Sequence, residues 1–420
     1  MSERHVAIVG GGVIGLFCAW YARQSGFKVS IIERGAPGHD CCSLGNGGMI
    51  VPSHIEPLAA PGMATMALKS LFTPDSPVRV NPRMDLRFLR WGLDFLRSAS
   101  PEHVRRAGPL LRDFSLLSRS CYLDLAETGR NDFAFVPSGM ISLANTEQGL
   151  EHECNAAEAA QRLGIEARVV TPPQLRQLEP TLHFHSVGAV HYPLDARLVP
   201  QRLVAFLSEE LQAQGVQFLW NTEALGWRSA NNRVEALRTS RGELFADEYV
   251  LAAGCWTPRT LLGLRLRLPV EAGKGYSITL PQPRRLPTHG AMLSEARIAV
   301  TPMGTALRFA GTMQFSGIDA RIDTRRVRAM VKAIPEYLPD FQTADFAAVS
   351  AWAGLRPITP DGLPFLGRSA RYENFVVASG HAMMGVSLAP ATGLIVSELL
   401  TGRPTSLPLA LLRPERFSAA

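Results

Sequence analysis

Three glycines at a fixed spacing are the first residues able to do chemistry. Gly10-Gly11-Gly12-Val13-Ile14-Gly15 fits Gly-x-Gly-x-x-Gly. In such a unit the first glycine permits a tight turn and the second lets the backbone approach a pyrophosphate. The third lets helix and strand pack closely. A helix starting there offers unbonded N–H groups and the positive end of its dipole to phosphate oxygens. Glu33 follows Gly15 by 18 residues, the place where a carboxylate accepts hydrogen bonds from an adenosine ribose. A second candidate is Arg356, in Trp352-Ala-Gly-Leu-Arg-Pro-Ile-Thr-Pro-Asp361. A planar guanidinium holds a carboxylate by two parallel hydrogen bonds, fixing position and angle together. The same Gly-Leu-Arg-Pro stretch is also compatible with a plain structural turn.

These residues need elements to position them. His5-Val-Ala-Ile-Val9 is a short apolar, β-branched run that reads as a buried strand, and Lys28-Val-Ser-Ile-Ile32 is a second. Between them Val13 to Ser25 is amphipathic and stops at Gly26, as helices often do. With strand, helix, strand and acid in register, the unit binds a dinucleotide. FAD and NAD share the ADP half, so the motif does not choose between them. Further along, Gln201 to Gly215 reads as a helix before a strand at Val216–Trp220. Phe375–Ala378 reads as a buried strand that Ser379-Gly380-His381 turns sharply. Small residues up to Gly385 leave the start of a helix at Val386–Gly402 accessible, an end suited to negative charge. Helix signals also fill Leu86–Ser98, His103–Glu127 and Glu147–Leu163, whereas about 266–344 alternates apolar and polar residues as a sheet would.

Composition narrows the class. The chain has 420 residues, more than one hydrophobic core usually serves. Its 43 Lys and Arg against 37 Asp and Glu give +6, scattered rather than clustered, which argues against nucleic acid. Anionic substrates or an anionic membrane surface remain compatible. No apolar run reaches the roughly 18 residues of a membrane helix; the best, Val386 to Leu400, is broken by Ser387, Pro390, Thr392, Ser397 and Glu398. The start, Met1-Ser-Glu-Arg-His5, lacks a signal-peptide pattern, so the expected location is cytoplasmic. Six cysteines contain no C-x-x-C pair, and the vicinal Cys41-Cys42 reads as packed loop residues. His183, His185 and His191 lack acids at matching spacing, so no metal site is expected.

Several stretches together resemble a known family. Cys42-Ser-Leu-Gly-Asn-Gly-Gly-Met-Ile50 and Pro52-Ser-His-Ile-Glu-Pro-Leu-Ala-Ala-Pro-Gly62 resemble the FAD-dependent D-amino-acid dehydrogenases of the D-amino-acid oxidase, glycine oxidase and sarcosine oxidase superfamily. Tyr249-Val-Leu-Ala-Ala-Gly-Cys-Trp256, Gly273-Lys-Gly-Tyr-Ser277, the Trp352–Asp361 stretch and Asn374-Phe-Val-Val-Ala-Ser-Gly-His381, with Gly385 and Thr392-Gly393, continue the likeness in order. The resemblance implies an α/β chain: a Rossmann-like FAD-binding domain on a parallel sheet, and an α+β substrate domain on a mostly antiparallel one. Its boundaries would be 1–60, 187–265 and 345–420 for FAD, with 61–186 and 266–344 for substrate.

The cofactor-binding set it implies is Gly10, Gly12, Val13, Ile14, Gly15, Glu33, Arg34, Ser43, Asn46, Gly47, Gly48, Ala253, Gly254, Gly380, His381, Met384 and Gly385. On the substrate side it places Arg356 on the amino acid's carboxylate, with Tyr276 and His54 as further candidates and Arg308 on a strand that could face the site. His54 stands where relatives carry tyrosine, and Gln314 where they often carry glutamate; on those two departures rests the thought of D-proline or a hydroxy-D-proline. The implied reaction is oxidative deamination of a small D-amino acid or cyclic imino acid, with hydride passing from the α carbon to flavin N5. The alternatives are a glycine- or sarcosine-type oxidase producing hydrogen peroxide, and a flavin-binding subunit of a hetero-oligomeric dehydrogenase. The electron acceptor stays open among a quinone, a partner flavoprotein and oxygen, and peripheral contact with the inner membrane is compatible.

Overall fold

A computed structural model describes residues 3–39, 41–63, 65, 76–81, 83, 85–128 and 130–418. Its first sheet grows from the glycine unit. The strand His5–Val9 turns at Gly10 into the helix Val13–Gln24, and the chain returns as the strand Lys28–Ile32. Parallel neighbours extend the sheet on both sides. In order it runs Phe365–Arg368, Phe375–Ser379, Glu248–Leu251, His5–Val9, Lys28–Ile32, Gln217–Leu219. Only the edge strand Phe365–Arg368 is antiparallel. His5–Val9 therefore has the next strand in sequence on one side and Glu248–Leu251 on the other. The order reverses there, and crevices at the carboxyl ends of such strands hold ligands.

The apolar run at Val386–Leu400, too interrupted for a membrane, is the helix Gly385–Thr401, buried almost all round. It packs against Val13–Gln24 and the long helix Pro101–Glu127. Tyr122 donates its hydroxyl to the Val386 carbonyl at 2.7 Å, and Ser118 donates to Ser387 O at 2.6 Å. A helix apolar on every side belongs inside a core. No helix among the described residues is long and apolar enough to cross a membrane.

The second sheet has nine strands. Its order is Ala351–Ile358, Glu271–Leu280, Ala306–Phe315, Ile298–Met303, Gly290–Leu293, Met140–Ala144, Gly188–Tyr192, Arg168–Val170, with Val78–Val80 beside Ala306–Phe315. Most pairs are antiparallel; Met140–Ala144 with Gly290–Leu293 and Val78–Val80 with Met313–Phe315 are parallel. Two strands lie elsewhere than the sequence boundaries put them: Gly188–Tyr192 and Ala351–Ile358 hydrogen-bond into this sheet, not the first. Within 266–344 the alternating pattern holds only to Phe315, because the helix Thr324–Tyr337 follows and buries Met330, Ile334 and Tyr337 against the sheet. A three-stranded meander, Ala224–Ala230, Arg233–Thr239 and Gly242–Leu244, also went unread in the sequence. All six cysteines are free thiols. No group of three potential metal ligands exists among the described residues, and His183 instead pairs with Asp340 at 2.9 Å.

Candidate active site

A cavity of about 1620 Å³ opens between the two sheets and is lined from Val9 to Val386. Pockets for single small ligands usually hold 300–1,000 Å³, so this one has room for a dinucleotide and a second molecule. At one end lie Gly10, Gly12, Val13, Ile14, Glu33 and Arg34. Gly10 has φ +114°, and a Cβ on it would fall 2.4 Å from the Ala252 carbonyl oxygen. A Cβ on Gly15 would fall 1.9 Å from Gly10 O, so helix and strand meet with no room for a methyl group. Gly15 itself does not line the cavity; it permits the closeness.

The helix Val13–Gln24 begins at Gly12 with no side-chain cap of its own. Ser43, on the 41–48 loop, accepts instead from Val13 N at 3.2 Å. The helix Gly385–Thr401 starts at Met384, likewise uncapped and without acids in its first turn, and the same cavity receives it. Two exposed helix amino termini make the cavity receptive to anions at two places. Glu33 accepts Gly11 N and Gly35 N at 2.8 Å each, and each carboxylate oxygen keeps a lone pair for a further donor. The Arg34 guanidinium lies 3.7 Å from the centre of the Trp256 ring.

The 41–48 loop hangs from the nine-stranded sheet. Arg308 donates to the carbonyls of Leu44 (2.9 Å) and Asn46 (2.8 Å) and to Thr279 Oγ1 (3.0 Å). Burial pulls its pKa down to about 10. Arg308 is thus spent on holding this loop and does not itself line the cavity, unlike the sequence expectation. Asn46 donates to Met383 O at 3.4 Å and accepts from Gly48 N at 2.8 Å; Gly47 lines the cavity, while Gly48 is pressed against Leu198 O instead. Ala253, Gly254, Gly380 and His381 complete the wall. His381 is buried, bonded to Thr392 Oγ1 at 3.0 Å, and desolvation lowers its pKa to about 3, leaving the ring neutral.

Arg356 enters from the other side. It pairs with Gly273 in the neighbouring strand, and its guanidinium lies over Gly275, where a Cβ would be 2.3 Å from Cζ. A bulge between Glu271–Leu280 and Ala306–Phe315 explains its partner. Tyr276 pairs with Gly311 but Lys274 pairs with Gln314, so Thr312 and Met313 share one place in the register. Bulges re-aim groups beside functional sites, and here Thr312, at φ +62°, turns its carbonyl to accept Arg356 Nη1 at 2.5 Å. A β-branched residue in that region is strained and persists because its surroundings hold it. Among the described residues no carboxylate pairs with Arg356; burial lowers its pKa, and the only opposing influence is the Cys42 thiol.

Strand parity bears on two sequence expectations. Gly275 faces Arg356, so Tyr276 faces the other side of the sheet. There its hydroxyl donates to Gln314 Oε1 at 2.8 Å and accepts from Asp323 N. Tyr276 lines the cavity, but its hydroxyl is engaged by these two partners, and Gln314 is not part of the lining. His54 also lines the cavity, and it stays exposed to solvent. Desolvation by the surrounding loops, then the charge of Arg297, lowers its pKa and favours the neutral ring.

The loop carrying His54 is held by a residue that the sequence did not single out. Asp195 is fully buried and accepts Ser53 N at 3.1 Å and Ser53 Oγ at 2.6 Å. Burial lifts its carboxyl from 3.8 to about 7, the Ser53 bonds and Arg119 opposing the rise. Between those values the folded protein keeps a proton that the unfolded chain has released, so this residue's contribution to stability falls as pH rises from about 4 to about 7, then stays level. Asn in its place is expected to raise Tm by roughly 2–5 °C at about pH 8 and to leave it unchanged near pH 4. Melting curves across that range check it; an unaltered slope would assign the titration elsewhere.

Residues 5–399 match the FAD dependent oxidoreductase family. The chain belongs to that family. The FAD dependent oxidoreductases similar to it include a D-amino acid dehydrogenase of Paramagnetospirillum magneticum, 33% identical over 99% of both chains. Another, of Helicobacter pylori, is 27% identical over 94% of this chain and 95% of its own. Among solved structures, glycine oxidase from Geobacillus kaustophilus superposes with a TM-score of 0.78 at 25% identity, covering 99% of both chains. L-proline dehydrogenase from P. horikoshii shares the fold, with TM-score 0.74 and 17% identity over 99% of this chain and 98% of its own. FAD is the family's cofactor, and the glycine-tight turn, Glu33 and the two helix ends without caps of their own fit it.

Proposed function

We propose that this enzyme oxidises the carbon–nitrogen bond of a small D-amino acid or cyclic imino acid, passing the electrons to an acceptor other than oxygen. The observation that carries the reading is Arg356: a half-buried guanidinium on the cavity wall whose hydrogen-bond partner is a neutral carbonyl. A partly desolvated cation without an acid is costly, and a substrate carboxylate meets its fork. Relatives named D-amino acid dehydrogenase match end to end, which supports the reading of a D substrate and of an acceptor other than oxygen.

The strands around Gly10 and the helix ends form the FAD-binding part; the nine-stranded sheet forms the substrate part. Bound FAD supplies the two-electron acceptor for the Cα–H bond. The chain's own residues bind and orient. Arg356 fixes the carboxylate and hence the direction of the Cα–H bond, which is worth much of a barrier when the pose is right. Neutral His54 stands on the cavity wall as a hydrogen-bond acceptor for an amine or ring substituent. The sheet lines the cavity on one side and the 41–62 loops on the other.

Anaerobic titration of the holoenzyme with D- and L-amino acids, both prolines and the 4-hydroxyprolines tests this. Loss of the oxidised flavin band with a D- or imino acid, persisting for many turnover times after air is admitted, is the expected result. Rapid recovery of the band in air would favour an oxidase, the activity named for the Geobacillus structure. No loss with any compound would overturn the substrate class.

A further inference from the structure

The helix Leu86–Ser98 is apolar on two sides. Its inner side, Phe88, Trp91 and Phe95, stacks toward Phe315, and Trp91 donates its indole N–H to Ile358 O at 3.0 Å. That side explains why the helix is held. Its outer side carries Leu86, Leu89, Leu93 and Leu96, which are 84%, 49%, 53% and 57% exposed. Steps of three and four residues keep them in one row along the helix. Among the described residues the other large exposed apolar side chains stand singly along the sequence, which is ordinary for a surface. A row of four is not.

Arg87, Arg90 and Arg97 are exposed beside this row. The helix's two carboxylates are otherwise engaged: Asp85 caps Arg87 N at 2.9 Å, and Asp94, 12% exposed, bonds Arg267 at 2.5 Å while lying 3.8 Å from Arg97. The outward face thus offers leucines bordered by guanidinium groups. Helices of this make-up lie in a membrane interface, with the apolar row in the acyl boundary and the cations at the headgroup phosphates.

We propose that this face docks the holoenzyme on an anionic lipid surface. The charge complementarity selects lipid with acidic headgroups, and the chain's net charge of +6 acts in the same direction. The position in the fold gives docking a use. Ile358, which accepts the Trp91 bond, follows Arg356 by two residues, and Ala382 of the cofactor-side turn belongs to the same apolar cluster. One helix diameter, about 10 Å, then separates the lipid from the wall of the cavity, a placement suited to an acceptor dissolved in the bilayer.

Flotation of the holoenzyme with phosphatidylcholine vesicles, alone or with a third phosphatidylglycerol, tests the proposal. Binding to the anionic vesicles and about tenfold less to the neutral ones is expected. The double variant Leu89→Gln/Leu93→Gln is expected to lose at least about tenfold in partitioning, with unchanged turnover on a soluble dye acceptor. Arg90→Gln/Arg97→Gln should remove the preference for phosphatidylglycerol. Vesicle binding by the leucine variant equal to that of the unaltered enzyme would overturn the proposal, as would absence of binding to either vesicle. Concentration-dependent dimerisation that the leucine variant abolishes, without vesicle binding, would assign the face to a second copy of the chain.

Discussion

Arg356→Lys is expected to raise KM for the reactive amino acid by about 10–100-fold, with a smaller fall in kcat. The range follows from the loss of one charge-assisted hydrogen bond, about 1.5–3 kcal/mol, at 1.4 kcal/mol per factor of ten. A lysine keeps the charge and loses the fork, so the carboxylate is held at one point and can pivot. Pivoting misdirects the Cα–H bond, which is the source of the kcat term. The flavin spectrum should be untouched, because the protein atom that Arg356 bonds, Thr312 O, belongs to the substrate-side sheet. Steady-state kinetics with the flavin content measured alongside decide the matter. An unchanged KM would remove Arg356 from the carboxylate site and with it the substrate class. Gly275→Ala, whose Cβ would meet Cζ at 2.3 Å, should move KM in the same direction by displacing the guanidinium.

A methyl group at Gly15 should strip the enzyme of its cofactor. The added Cβ would lie 1.9 Å from Gly10 O, about half of an ordinary contact. The backbone of the turn cannot yield without leaving the strand, since Gly10 N donates to Ile32 O at 2.9 Å. The helix Val13–Gln24 must therefore move outward and carry its first N–H groups away from the phosphates. Displaced N–H groups forfeit several charge-assisted bonds together, so Gly15→Ala is expected to weaken FAD by at least about 100-fold and to be isolated colourless. Overpacking should also cost about 1–3 kcal/mol of stability. Flavin content after dialysis, read beside a thermal melt, separates the two effects; a yellow, normally loaded protein would show that the helix can relax without leaving the phosphate position.

The cofactor side was legible because its signal is local. Strand, glycine turn, helix and acid occupy about thirty consecutive residues, and each carries a backbone requirement that side-chain type reveals. The substrate side depends on parity and on a bulge. From the sequence, Arg356 stands out by its motif and Tyr276 is a further candidate, with nothing to say which sheet face either takes. Only the pairing of Gly273 with Arg356 shows that Tyr276 lies on the opposite face, and no residue type announces that register. The weight given to Gln314 fails for the same reason. Arg308 was visible as a strand arginine, but its use as a clamp on Leu44 and Asn46 needs a contact across more than 260 residues. Asp195 and the meander left no motif at all. The leucine row at 86–96 was read only as helix, because amphipathic spacing does not tell a helix with one apolar face from a helix with two.

The hold of Arg308 on the 41–48 loop has a thermal consequence. The loop that closes over the first helix is fastened to strands belonging to the other sheet. Heating that loosens those strands frees the loop at the same moment, even while the strands around Gly10 are intact. The rise in flavin fluorescence on warming is therefore expected to track melting of the nine-stranded sheet rather than of the strands around Gly10.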